Sequence, residues 1–194
     1  MTPEQEDALI RQVPHDPQAF KPLYQQYFPR VHAYIHYRVS SAQDAEDLIS
    51  ETFFKAIRNL GRFRWHGEGS FAGWLFRIAH NLVVDYYRRN TRVGLSSTPN
   101  ENLAEPSDQS PLPEETMMQK ETFLQMRALI AQLSPRRQEI ITLKFFGSLR
   151  NYEIAHILKL DERTVAAHLS RGLQDLRREY IAHTHSELMV EEMV

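Results

Sequence analysis

Residues Gly73 to Arg89 read GWLFRIAHNLVVDYYRR. At the helical step of about 100° per residue, Phe71, Trp74, Leu75, Ile78, Ala79, Leu82, Val83 and Tyr86 make one apolar stripe, as a core-facing helix requires. The opposite side carries Phe76, Arg77, His80, Val84, Tyr87 and Arg88. Rings and arginines on a face that need only be wet predict a second set of contacts there. The competing reading packs Phe76 or Tyr87 against the first helix of the same domain.

Reading outward from this helix gives an all-helical chain. Toward the N-terminus, RFRWHGEGS (Arg62 to Ser70) is a loop with two glycines, and Ser70 is placed to cap a helix beginning at Phe71. Before it, Ala45, Leu48, Ile49, Thr52, Phe53, Ala56, Ile57 and Leu60 keep helical spacing over four turns, which predicts a helix from Ala42 to Leu60 with Gly61 just past its C-terminus. An earlier helix is predicted over Phe20 to Val39, kinked by Pro29.

Toward the C-terminus the composition changes after Arg92 to VGLSSTPNENLAEPSDQSPLPEE, rich in Ser, Pro, Asn and acids, which reads as a linker. Beyond it, Ser134 and Pro135 mark the start of a helix through Ile140, Ile141 and Leu143. In NYEIAHILKLDERTVAAHLSRGLQDLRREY, residues Ile154, Ala155, Leu158, Leu160, Val165 and Leu169 give a short helix, a tight turn and a longer helix opened by Asp161. That is helix-turn-helix spacing, with the small Ala155 admitting a close crossing. Lys159 stands in the turn and is expected to adopt a left-handed conformation or a modified turn.

Composition narrows the function classes. Hydrophobic residues at 42% allow packed cores, and the absence of cysteine excludes disulfides and thiolate metal sites. No apolar run approaches the roughly 18 residues of a membrane span. The opening MTPEQEDALIRQV carries acids where a secretion signal carries cations, so the expected location is cytoplasmic. The net charge of −2 is unevenly spread: Ser41 to Phe54 holds only acids, whereas Ser134 to Tyr180 holds nine Lys/Arg against six Asp/Glu. Alternating acidic and basic blocks imply several surfaces with different partners.

Three motifs in order, DAEDLISETFFKAIRNLGRFR, SFAGWLFRIAHNLVVDYYRR and LSPRRQEIITLKFF with YEIAHILKLDERTVAAHLSRGLQDLRR, resemble an extracytoplasmic-function sigma factor of the sigma-70 family. The resemblance implies two small helical domains: a sigma-2 bundle over residues 1–92 and a sigma-4 helix-turn-helix domain over 116–182. A flexible acidic linker over 93–115 would join them, and 183–194 would form a tail. It implies core RNA polymerase as a partner through its beta-prime clamp helices and beta flap, promoter DNA as another, and an anti-sigma factor as a regulator that could hold the protein near a membrane. No enzymatic activity, cofactor, small-molecule substrate or membrane insertion follows from it.

On this resemblance Asp44, Asp47, Glu51 and Phe54 are the expected polymerase-docking residues. An aromatic side chain among acids also suits a hot spot with a charged rim. Melted minus-ten strand would be held by Trp65, His66, Ser70, Phe76, Arg77, His80, Asn81, Tyr87 and Arg88, combining ring stacking with phosphate contacts. The minus-35 element would be read by Arg163, Thr164, Ala166, Ala167, Ser170 and Arg171 from the major groove. Many family members carry cations where this chain has Ala166 and His168, which shifts phosphate binding onto Arg163 and Arg171.

Two rival readings stay open on the residues alone. A stand-alone regulator would join a sensory domain to a helix-turn-helix output. A helical metalloenzyme would use His32, His36 and carboxylates between Asp44 and Glu51; the two histidines are four apart, but no third ligand is obvious nearby in sequence, so no metal site is assigned.

Overall fold

The computed structural model describes residues 1–67, 69–92 and 124–191, with the side chains of 91–92 and 183–191 outside that description. The expected linker over 93–115 lies outside the described residues, and so do residues 116–123. Among the described residues the fold is all-α: α1 (Pro3–Gln12), α2 (Phe20–Arg38), α3 (Ala42–Asn59), α4 (Ser70–Arg92), α5 (124–131), α6 (Pro135–Phe145), α7 (Asn151–Leu158) and α8 (Glu162–Glu191). None of these helices is long and apolar enough to cross a membrane.

Helix α1 starts on a capping box. The Thr2 hydroxyl accepts from the Gln5 N–H at 3.3 Å and the Gln5 amide oxygen accepts from the Thr2 N–H at 2.9 Å, which satisfies donors the first turn would otherwise leave open. Its Ile10 and Glu6 are buried, and Glu6 accepts a hydrogen bond from the Tyr27 hydroxyl of α2. The chain then continues into α2 with Pro29 inside the helix, as the sequence predicts.

Helices α2, α3 and α4 enclose the first core. Leu23, Val31, Tyr34, Ile35, Ala45, Phe71, Leu75 and Ala79 are all shielded from solvent. The stripe read from Ala45 to Ala56 is buried as predicted, but Ile57 stands exposed at 46%. Helix α3 closes differently from the expectation at Gly61. A 3₁₀ turn over Leu60–Arg62 ends it, and Gly61 does not enter the left-handed region. The conformational freedom of glycine is used instead at Gly67 and Gly69, with φ of 105° and 82°, where the loop reverses into α4.

The second unit packs α6 and α7 against α8. Helix α6 begins at Pro135 as expected, yet the Ser134 side chain makes no cap bond. The buried Gln138 amide does the tying, donating to the carbonyls of Leu133 at 2.7 Å and Ala131 at 3.0 Å. Where α8 crosses α6, a β-carbon on Gly172 would sit 2.7 Å from Ile141 Cδ1, so the glycine permits the close crossing. Helix α8 continues to Glu191, past the expected tail boundary.

Lys159 closes α7 in the left-handed region, at φ 55° and ψ 47°. The residue that ends a helix this way is normally glycine, because a β-carbon costs about 1–2 kcal/mol there. Lys159→Gly is therefore expected to stabilise the protein by about 0.5–1 kcal/mol, part of the relief being lost to the freer unfolded chain. A urea midpoint that stays put or falls would contradict this.

Candidate protein and nucleic-acid interfaces

The outer face of α3 follows from its buried stripe. Because Ala45, Leu48, Ile49, Thr52 and Phe53 turn inward, Asp47 and Phe54 turn to solvent, and Phe54 is 64% exposed. Glu51 lies on the same side and pairs with Lys55 at 2.9 Å, one turn on, a surface pair worth only tenths of a kcal/mol. Asp44 differs from these three. Its carboxylate accepts from the Tyr86 hydroxyl at 2.8 Å and so fastens α3 to α4. Burial first, and then this hydrogen bond, push the Tyr86 pKa up to about 12, which keeps the donor protonated.

Helix α4 and its preceding loop form the second surface. Ser70 is the first residue of α4 rather than the residue before it. Its hydroxyl accepts the His66 N–H at 3.2 Å, closing the loop on itself instead of capping the helix. Trp65 is half-buried against the core and His66 is exposed. Asn81 and Arg88 are exposed on α4, with Arg88 3.5 Å from Asp85. A cleft opens beside Arg64, His66, Trp74 and Arg77, with Tyr152 and His156 of α7 on its far wall. The Arg77 guanidinium meets the His156 ring there. No local pattern singles out Arg64, Tyr152 or His156; they converge only because α7 packs on α4.

Besides Arg77, three expected residues of this surface are engaged within the packed protein. Phe76 is fully buried, edge-on to Tyr34 with ring centres 5.6 Å apart and with the Arg30 guanidinium 5.6 Å from its own ring centre. Burial inside a well-filled space recovers more apolar area than a solvent-facing ring would, so packing wins over exposure. Tyr87 is half-buried, and its hydroxyl donates to the carbonyl of Arg38 on α2. The His80 side chain is 12% exposed and its Nδ1 lies 3.5 Å from Glu139 of α6. The rings of Phe76 and Tyr87 thus serve the joint with α2, the alternative that the sequence left standing.

The face of α8 begins with Asp161, which accepts the Arg163 N–H at 2.8 Å and caps the helix. Val165 is fully buried, and that orientation leaves Arg163, Ala166, Ala167, Ser170 and Arg171 exposed, with Thr164 half-buried. All six expected residues therefore share one accessible side of the first turns of α8.

The two helical units touch through named contacts. Arg30 of α2 donates to the Gly147 carbonyl, and the buried Arg127 donates to the Val39 carbonyl at 3.2 Å. Glu153 of α7 comes so near the loop before α4 that a β-carbon on Gly69 would lie 2.6 Å from its Oε1. Its other oxygen accepts the Arg150 N–H at 2.7 Å. Burial raises the Glu153 pKa, whereas burial lowers that of His80. A raised carboxylate favours the packed arrangement as pH falls, and a lowered imidazole disfavours it below the ordinary histidine range, so the two titrations oppose each other.

A helical bundle with an acidic, phenylalanine-bearing outer face, followed by a helix-turn-helix unit with an accessible first turn, defines a two-part helical protein of the DNA-binding kind. Residues 23–93 match the family model Sigma-70 region 2, and residues 123–176 match Sigma-70, region 4. The RNA polymerase sigma-H factor of Pseudomonas aeruginosa is 31% identical over 193 residues, an overlap covering 92% of this chain and 99% of that one. The chain belongs to the extracytoplasmic-function sigma factors of the sigma-70 family. The sigma factor BldN of Streptomyces coelicolor is 34% identical over 160 residues, and the chain, 82% of which is matched, spans 60% of its length. In fold it is similar to the sigma factor RpoE of Bartonella quintana, solved with the anti-sigma factor NepR, at TM-score 0.63 and 22% identity, covering 82% of this chain and 94% of that one.

Proposed function

We propose that the chain is an alternative initiation factor: it binds core RNA polymerase, brings it to promoters and supports strand opening, without covalent chemistry of its own. The observation that carries this reading is Phe54, 64% exposed between the acidic Asp47–Glu51 turn and the cations Lys55, Arg58 and Arg62 on the unit that matches region 2, in a chain that also presents a helix-turn-helix face. An exposed ring of this size suits a pocket on a partner, and Asp47 and Glu51 on the same face suit cations of that partner.

In this reading Asp47, Glu51 and Phe54 meet the polymerase's beta-prime clamp helices, with the second unit placed on the beta flap. Trp65, His66, Ser70, Arg77, Asn81 and Arg88 handle the minus-ten strand. Arg163, Thr164, Ala166, Ala167, Ser170 and Arg171 read the minus-35 duplex. The functional units span 1–92 and 116–182, joined by the linker 93–115 and followed by the tail 183–194. The protein works in the cytoplasm.

The packed arrangement bears on regulation. Arg77 is engaged with His156, so minus-ten DNA reaches it only after α7 leaves α4. An anti-sigma factor, the kind of partner that accompanies RpoE of Bartonella quintana, would act by holding the units in a DNA-excluding arrangement. Run-off transcription with purified core polymerase tests the reading.

A further inference from the structure

Helices α2 and α3 bring together three groups that the sequence keeps apart. His32 and His36 stand one turn apart on α2, with ring centres 4.1 Å from each other. Glu46 of α3 places its Oε1 3.1 Å from His36 Nε2 and 3.5 Å from His32 Nε2. All three donor atoms lie within 4.8 Å of one another. A zinc ion with bonds of about 2.1 Å in tetrahedral geometry needs its ligand atoms about 3.4 Å apart. The two nitrogen-to-oxygen separations, 3.1 and 3.5 Å, bracket that spacing.

The surroundings suit an ion as well. Two imidazoles and one carboxylate form a ligand set that zinc, cobalt and nickel accept, and that calcium and magnesium, which prefer oxygen, do not. The Phe28 ring lies 5.6 Å from the His32 ring and gives the site an apolar wall. Glu46 remains largely exposed, which leaves an entry path from solvent.

We propose that His32, His36 and Glu46 bind one divalent transition ion of the zinc class. Three protein ligands leave a fourth position for water or for a donor from outside the chain. The ion fastens α2 to α3 beside the face that carries Asp47, and it binds the folded chain in preference to the unfolded one, so the melting temperature rises with metal concentration. Nothing in this depends on the polymerase reading.

The test uses the full chain freed of metal by a chelator and titrated with Co2+, followed by visible absorption, with Zn2+ displacing the cobalt and thermal melting recorded in parallel. The expected result is one equivalent of Co2+ with the spectrum of nitrogen and oxygen ligation, and a melting temperature raised by Zn2+. His36→Ala and Glu46→Gln are each expected to weaken binding by at least about tenfold, the lower end of what even outer-sphere changes cost. Both metal-free variants should melt cooperatively near the wild type. The double variant of His183 and His185 to alanine should bind as the wild type does. Unchanged affinity in His36→Ala and Glu46→Gln, or binding lost only in the His183 and His185 variant, would overturn the proposal.

Discussion

Alanine at Phe76 is expected to cost the protein about 3–5 kcal/mol of stability, the usual toll of removing a buried phenylalanine. A domain of ordinary stability has about 5–15 kcal/mol in total, so the variant should lose a large share of it. The reason is local. Tyr34 meets the Phe76 ring edge-on and the Arg30 guanidinium lies over it, so removal of the ring leaves a cavity and strips an aromatic partner and a cation contact together. Arg30 also reaches the Gly147 carbonyl, and loosening it should weaken the packing of the second unit. Urea denaturation measures the effect. An unchanged midpoint combined with lost promoter melting would instead place the ring on DNA, the role that the family resemblance implies.

Alanine at Phe54 should behave in the opposite way. The ring contributes little to the fold, so the stability change should stay within about 0.5 kcal/mol. Core polymerase affinity should fall by about 30-fold, which corresponds to the roughly 2 kcal/mol that defines a binding hot spot. Phe54→Leu should recover part of the loss, because an apolar anchor is retained. Affinity within twofold of the wild type in the alanine variant would remove Phe54 from the docking surface.

The contrast between these rings shows what periodicity can and cannot deliver. Spacing identified the inward stripes of α3 and α4 because 3.6-residue repetition is a property of one helix. It did not decide Phe76, since a ring opposite one core can enter the joint with another helix, and the neighbour is set by tertiary packing. Gly69 and Gly172 follow the same logic. A β-carbon at either would meet a side chain far away along the chain, Glu153 or Ile141, and Gly69 has its positive φ as a local reason besides. Glu46 became a neighbour of His32 and His36 only once α3 lay against α2.

Local chemistry was sometimes present and unread. Helix α1 has a sequence signal in Thr2, Pro3, Glu4 and Gln5, a capping box with proline at the first helical position. Gly61 gave the reverse case, a residue with the expected identity and spacing whose freedom the structure does not use. The face of α8 was legible because buried Val165 fixes the rotation of the helix, and Arg163 through Arg171 follow from that single orientation.

Action with polymerase is decided by run-off transcription on host genomic promoter fragments. Core polymerase alone should yield no promoter-specific product, and adding the purified chain should give discrete run-off transcripts that Phe54→Ala sharply reduces. Failure to produce any specific transcript, together with no retention of core polymerase on the immobilised chain, would contradict it.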